Sequence, residues 1–121
     1  MDSGCYQLII ELPRKTSIKI GALGFIEFKP GYYIYTGRAR KNLQKRVERH
    51  CSKNKKNHWH IDYLLEKASV NEVIYYVSRY DECVINDETR DRLEGTVIKK
   101  FGSSDCGCSG HLIRVGKKPK L

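Results

Sequence analysis

The most constraining feature of the chain is an abrupt change of hydrophobic period at Gly37. Before it, Tyr32-Tyr33-Ile34-Tyr35-Thr36 is an unbroken aromatic and β-branched run introduced by the turn pair Pro30-Gly31. Such side chains suit a pleated, packed surface, so the run predicts a central strand ending at Gly37. After it, Ala39, Leu43 and Val47 recur every four residues, while Arg38, Arg40, Lys41, Lys45, Arg46 and Arg49 take other positions. That spacing predicts an amphipathic helix with a narrow apolar stripe and cationic faces elsewhere. A strand feeding directly into such a helix favours folds in which a sheet carries helices on its face.

The flanking segments fit that frame. Tyr6, Leu8, Ile9, Ile10 and Leu12 form an apolar run closed by Pro13, a mostly buried strand in which the Tyr6 hydroxyl must find a polar partner. From Lys15 to Phe28, two short strands around Gly21 and Gly24 predict an inserted hairpin. A lysine-rich loop from Ser52 to Asn57 precedes Trp59, Tyr63, Leu64 and Ala68, which predict a second helix through Lys67, with His58 and His60 at its start. Val70 to Ser78 reads as a third main strand, and Asp81 to Leu93 as a helix with Asp81 as cap and Gly95 as stop. Phe101 to Gly110 is loop-like, His111 to Val115 a last short strand, and 116–121 a basic, flexible end. The order predicts an α+β fold, a small antiparallel sheet of three main strands plus the hairpin, flanked by helices. A length of 121 residues supports one core, so 1–121 is read as a single domain.

Charge narrows the function. The chain carries 23 Lys and Arg against 14 Asp and Glu, a net +9, and most of the excess lies on the helix after Gly37. A positive field of that kind attracts polyanions, and nucleic acid is the partner it favours. No apolar run approaches a membrane span, and Met1 to Glu11 lacks the pattern of a signal peptide, so a cytoplasmic protein without membrane contact is expected. The cysteine count of 5 is odd, which predicts reduced thiols rather than a disulfide framework. Cys106, Cys108 and His111, joined by Cys51 or His58, offer four zinc-ligand types. Zinc is nonetheless disfavoured, because the single residue between the two cysteines is shorter than the usual spacing.

Two tripeptides carry a resemblance. Gly4-Cys5-Tyr6 lies on the first strand, and Tyr35-Thr36-Gly37 is followed by Arg38-Ala39-Arg40-Lys41-Asn42-Leu43-Gln44-Lys45-Arg46-Val47. Together they resemble the GIY-YIG nuclease superfamily, and the second segment is similar to the corresponding stretch of the nuclease domain of the excision-repair protein UvrC. Arg49-His50, the segment His58 to Leu64, Glu82-Cys83 and Phe101 to Cys108 are similar to a branch of small GIY-YIG-like proteins, some fused to endonuclease III-type repair enzymes. The resemblance implies a nuclease of DNA rather than RNA, with Arg46 as the catalytic arginine. It also implies a metal-ligating glutamate at the start of the third helix, Glu82, with Glu88 and Glu72 as alternatives. One carboxylate with waters suits Mg²⁺ or Mn²⁺. Cys5 and Thr36 replace the isoleucines of the family name, and the Lys15 to Phe28 insertion separates the tripeptides more widely than in the typical nuclease.

Phosphodiester hydrolysis needs an activated water and positive charge on the pentavalent phosphorus. On neighbouring strands, Tyr6 and Tyr35 direct both hydroxyls to one spot, where surrounding cations are expected to lower a phenol pKa so that one tyrosine orients or deprotonates water. Arg46 supplies a planar donor for two phosphate oxygens. Asn42, Arg46 and His50 are spaced to share one helix face. His50 or His60 is an auxiliary acid or base, or else a structural hydrogen bond at a helix end. Arg38, Arg40, Lys41, Lys45 and Arg49 are the expected phosphate contacts, and Tyr32 and Tyr33 the packing tyrosines. The competing reading is a non-catalytic nucleic-acid-binding module of the same fold. A weaker one is a protein-interaction domain whose basic helix meets an acidic partner.

Overall fold

A computed structural model describes residues 2–52, 56–57, 59–102 and 109–119. Its centre is an antiparallel five-stranded sheet in the order β5-β1-β4-β7-β6, made of β1 (Gly4–Leu12), β4 (Gly31–Ala39), β5 (Ser69–Val77), β6 (Thr96–Ile98) and β7 (Leu112–Val115). The insertion forms a separate hairpin, β2 (Thr16–Lys19) and β3 (Phe25–Phe28), around one 3₁₀ turn. Among the described residues three helices accompany the sheets: α1 (Leu43–Cys51), α2 (His60–Leu65) and α3 (Glu82–Leu93). The fold is α+β, as expected. Among the described residues no helix is long and apolar enough to cross a membrane.

The sheet is covered on both faces, which is why β1 reads as a continuous apolar run rather than an alternating one. One face packs Tyr6, Leu8, Ile10, Tyr33 and Tyr35 against Leu43 and Val47 of α1, Ile61 and Leu64 of α2, and Ile18 and Phe28 of the hairpin. The other face holds Ile9, Ile34, Ile113 and Val115, with Leu93 of α3 packed on them. Tyr33 is fully buried and its hydroxyl donates to the Lys29 carbonyl, a packing role as expected.

The second face also carries a buried polar network. Gln7 Nε2 donates to Thr36 Oγ1 at 3.1 Å and to Thr89 Oγ1 at 2.9 Å, while Tyr76 donates to Gln7 Oε1 at 2.9 Å. Thr36 Oγ1 donates to Asn86 Oδ1, and Asn86 Nδ2 donates to the Gly110 carbonyl at 2.8 Å. These bonds fasten α3 to β1, β4 and the approach to β7, so its register on the sheet is set by directional contacts as well as by apolar packing.

Several local expectations are corrected. β4 continues past Gly37 because Ala39 still pairs with Gly4, so Ala39 belongs to the strand and α1 begins only at Leu43. Asn42 makes the break in the left-handed conformation (φ 56°), outside the helix whose face it was expected to share. The first amides of α1 are satisfied from the N-terminus: Leu43 N–H donates to the Asp2 carbonyl and Gln44 N–H to Asp2 Oδ1. Asp81 precedes α3 but does not cap it through its side chain, which pairs with Arg79 at 2.6 Å. The left-handed residue ending α3 is Glu94 rather than Gly95. The sheet gains β6 and an internal β7 beyond the three main strands expected.

Candidate functional site

Strand alternation explains how the motif tyrosines meet. Tyr6 and Tyr35 lie on adjacent antiparallel strands, with Tyr6 opposite Gly37 and Leu8 opposite Tyr35. Both side chains face α1, their ring centroids 6.3 Å apart, while Gln7 and Thr36 turn to the α3 face. The Tyr6 ring lies directly over residue 37. A Cβ there would stand 2.5 Å from its hydroxyl and Cζ, so only glycine admits this placement.

α1 delivers the next groups from one face, Arg46 and His50 being one turn apart. The Tyr6 hydroxyl and His50 Nε2 are 2.7 Å apart, which supplies the polar partner that the buried phenol requires. Arg46 Nη1 donates to the Arg38 carbonyl at 2.6 Å, and its guanidinium stacks over the Trp59 ring 4.9 Å from the centroid. Glu82 arrives from the first turn of α3, with Oε1 at 3.8 Å from Arg38 Nε and Oε2 at 3.5 Å from His111 Nδ1.

These elements enclose a cavity of about 350 Å³. Tyr6, Tyr35, Arg46, Trp59 and Glu82 line it, and Arg38, Arg40 and Lys41 add positive charge from the β4–α1 connection. The phenols do not ionise easily. Burial pushes the Tyr6 hydroxyl well above the usual phenol range, with the neighbouring Tyr35 adding to the rise and Arg46 only partly opposing it. Burial and then Glu82 likewise raise Tyr35. The expectation that surrounding cations lower a phenol pKa is therefore corrected: removing these rings from water outweighs the guanidinium nearby. In the resting site both phenols are held protonated.

Other expected site residues are dispersed. His60 Nδ1 accepts the Gly102 N–H at 2.9 Å and its ring packs on Phe101, which fixes a loop end beside the cavity. Burial lowers its pKa and so keeps it neutral as that acceptor. Arg49 turns away to grip Asp62 with both terminal nitrogens, at 3.0 and 3.1 Å. Lys45 lies beside Asp2, Gln44 and Glu48, away from the tyrosines. Glu72 pairs with Ile9 on edge strand β5, and Glu88 lies further along α3, so of the three glutamates weighed only Glu82 lines the cavity.

Cys5 is buried, and its thiol is pushed up to about 11, chiefly by burial and then by Glu82 and Asp81. It serves as the small hydrophobe that its place in β1 requires. Uniformly reduced cysteines were expected, but Cys83 is disulfide-bonded, while Cys5 and Cys51 are free. Cys83 opens α3 with Sγ 3.6 Å from His111 Nε2, so the fold brings it to where the chain returns toward β7, a proximity invisible in sequence spacing. Cys106, Cys108 and His58, the remaining residues of the zinc reading, lie outside the described residues.

Trp59 was read only as a helix residue and His111 only as a zinc-ligand candidate, and Asp62 was not singled out for the site. The only hint of Asp62 was its place three residues after Trp59, where its carboxylate accepts the Trp59 N–H at 2.9 Å as one arm of a capping box. Among the described residues no group of three or more His, Cys, Asp and Glu is arranged to hold a metal. Glu82, a largely buried carboxylate that lines the cavity, still fits a hard cation that retains most of its water.

No curated protein and no solved structure matches the chain. A family match runs from residue 5 to residue 121 and so takes in every side chain that lines the cavity. By that match over nearly its whole length, the chain belongs to the family described as Domain of unknown function DUF123.

Proposed function

We propose that this protein is a metal-dependent DNA endonuclease of the GIY-YIG type, working in DNA repair or processing. One observation carries the reading: two phenols, a guanidinium and a carboxylate meet in one cavity beside Arg38, Arg40 and Lys41. The resemblance of the two tripeptides and of the segment after Gly37 points the same way.

In this reading Arg38, Arg40 and Lys41 draw in the backbone, and Arg46 grips the scissile phosphate with the charge that its bond to the Arg38 carbonyl leaves directed at the cavity. Tyr35 donates a hydrogen bond to the phosphate or the attacking water. Tyr6 accepts a proton from that water while passing its own to His50 Nε2, 2.7 Å away, so no free phenolate has to form in the buried site. Glu82 would hold Mg²⁺ or Mn²⁺, which supplies positive charge to the leaving oxygen.

A second reading has its own support. Both phenols are held protonated, which also suits a module that binds a phosphate and leaves it intact. Incubation with branched, nicked and damaged DNA in Mg²⁺ or Mn²⁺ separates the two. Cleavage that depends on the divalent ion supports the nuclease; tight, salt-sensitive binding with every substrate intact supports the module.

A further inference from the structure

Behind the Tyr6–His50 pair stands a carboxylate from the first turn of α2. Asp62 is fully buried, and its Oδ1 lies 3.8 Å from His50 Nδ1, on the side of the ring opposite Tyr6. Each of its oxygens is fixed: Arg49 Nη1 donates to Oδ1 at 3.0 Å, while Arg49 Nη2 and the Trp59 N–H donate to Oδ2 at 3.1 and 2.9 Å. The second terminal nitrogen of Arg49 is also anchored on the Lys56 carbonyl at 2.8 Å. Among the described residues, the groups that face His50 include Tyr6 from β1, Tyr35 from β4, and Trp59 and Asp62 from the start of α2, with Arg46 and Arg49 of its own helix stacked over Trp59.

We propose that Asp62 is a positioning residue for the Tyr6–His50 pair, holding the imidazole with Nδ1 protonated toward the carboxylate and Nε2 open to the phenol. A buried carboxylate beside one ring nitrogen favours the proton there, and the choice of tautomer fixes what the other nitrogen can accept. The inference rests on the nuclease reading for its catalytic consequence. As the water oxygen bonds to phosphorus, its proton passes to the Tyr6 oxygen and the Tyr6 proton passes to Nε2. The P–O bond to the leaving oxygen breaks with its electron pair on that oxygen, which takes a proton from solvent. The imidazolium formed then faces Asp62, and it returns its proton to water before the next turnover. Arg49, expected on the phosphate path, instead orients the carboxylate.

Ring nitrogen NMR of histidine-labelled protein, with His50 assigned by comparison with His50→Gln, tests the inference without requiring turnover. The wild type should show Nδ1 protonated and Nε2 as acceptor, and Asp62→Asn should lose that preference. In single-turnover cleavage Asp62→Asn should lower the rate roughly 10²-fold or more while DNA binding is kept. Nε2 protonated in the wild type would overturn the inference, as would an unchanged tautomer and rate in Asp62→Asn. If Asp62→Asn does not fold, the wild-type spectrum alone decides. If the wild type binds DNA without cutting it, the nuclease reading falls while the tautomer still judges Asp62.

Discussion

At the scale of single residues, the site depends on side chains that are absent as much as on those present. Gly37 gives the Tyr6 ring its resting place, and a methyl group there would meet the phenol at 2.5 Å. Gly37→Ala is therefore expected to cost about 1–3 kcal/mol by overpacking and to pull the Tyr6 hydroxyl off His50. Urea denaturation measures the first effect, and the ring nitrogen shifts of His50 the second. Unchanged stability with an unchanged imidazole would show that the ring has room to move. Tyr6, Tyr35 and Arg46 were legible in the sequence because the resemblance of their motifs marks them whatever surrounds them, and the cavity brings the three together. Asp62 was not, and His111 was read only for zinc, since each acquires its neighbours only when distant segments pack. The protonation of the phenols was misread for a related reason: counting nearby cations in a sequence leaves out desolvation, which here is the larger effect.

At the scale of elements, α3 needs an explanation, because it brings Glu82 to the cavity while only Ile85, Asn86 and Thr89 along it are buried. Two of those three are polar, and both join the network through Gln7 and Thr36, the immediate neighbours of Tyr6 and Tyr35. The same stretches of strand thus present catalytic candidates on one face and the anchor of the carboxylate helix on the other. Asn86→Ala removes the donor to the Gly110 carbonyl and the acceptor for Thr36, and should cost about 1–3 kcal/mol for the buried groups left unsatisfied. A thermal or urea melt checks this, and a neutral result would mean that water replaces the lost partners. The long strands and the hairpin were legible from their apolar runs and glycines. The three-residue β6 was missed, and β7 was read as a last short strand without its place between β4 and β6, because strands so short are specified by the sheet edge they join. The start of α1 was misplaced because Ala39 fits a helical stripe and a strand equally well, and its pairing with Gly4 decides the matter.

At the scale of the whole molecule, the net charge of +9 is divided between two tasks. Arg38, Arg40 and Lys41 face the cavity, whereas Arg49 is tied to Asp62, and the sequence ranked all of them alike. Removing Arg40 and Lys41 together by alanine substitution should reduce the slope of log affinity for DNA against log salt by roughly two, at about 0.9 per phosphate contact. An equal slope in both proteins would place the phosphate path elsewhere. The most direct test of the central claim is single-turnover cleavage of DNA in Mg²⁺ or Mn²⁺ at saturating protein, comparing the wild type with Arg46→Ala. The wild type should cut, and the variant should bind the same DNA yet cut at least about 10²-fold more slowly, the usual loss when one donor to the transition state is removed. Equal cleavage by both proteins, or none by the wild type across the substrate panel, would contradict an active centre built on Tyr6, Tyr35 and Arg46.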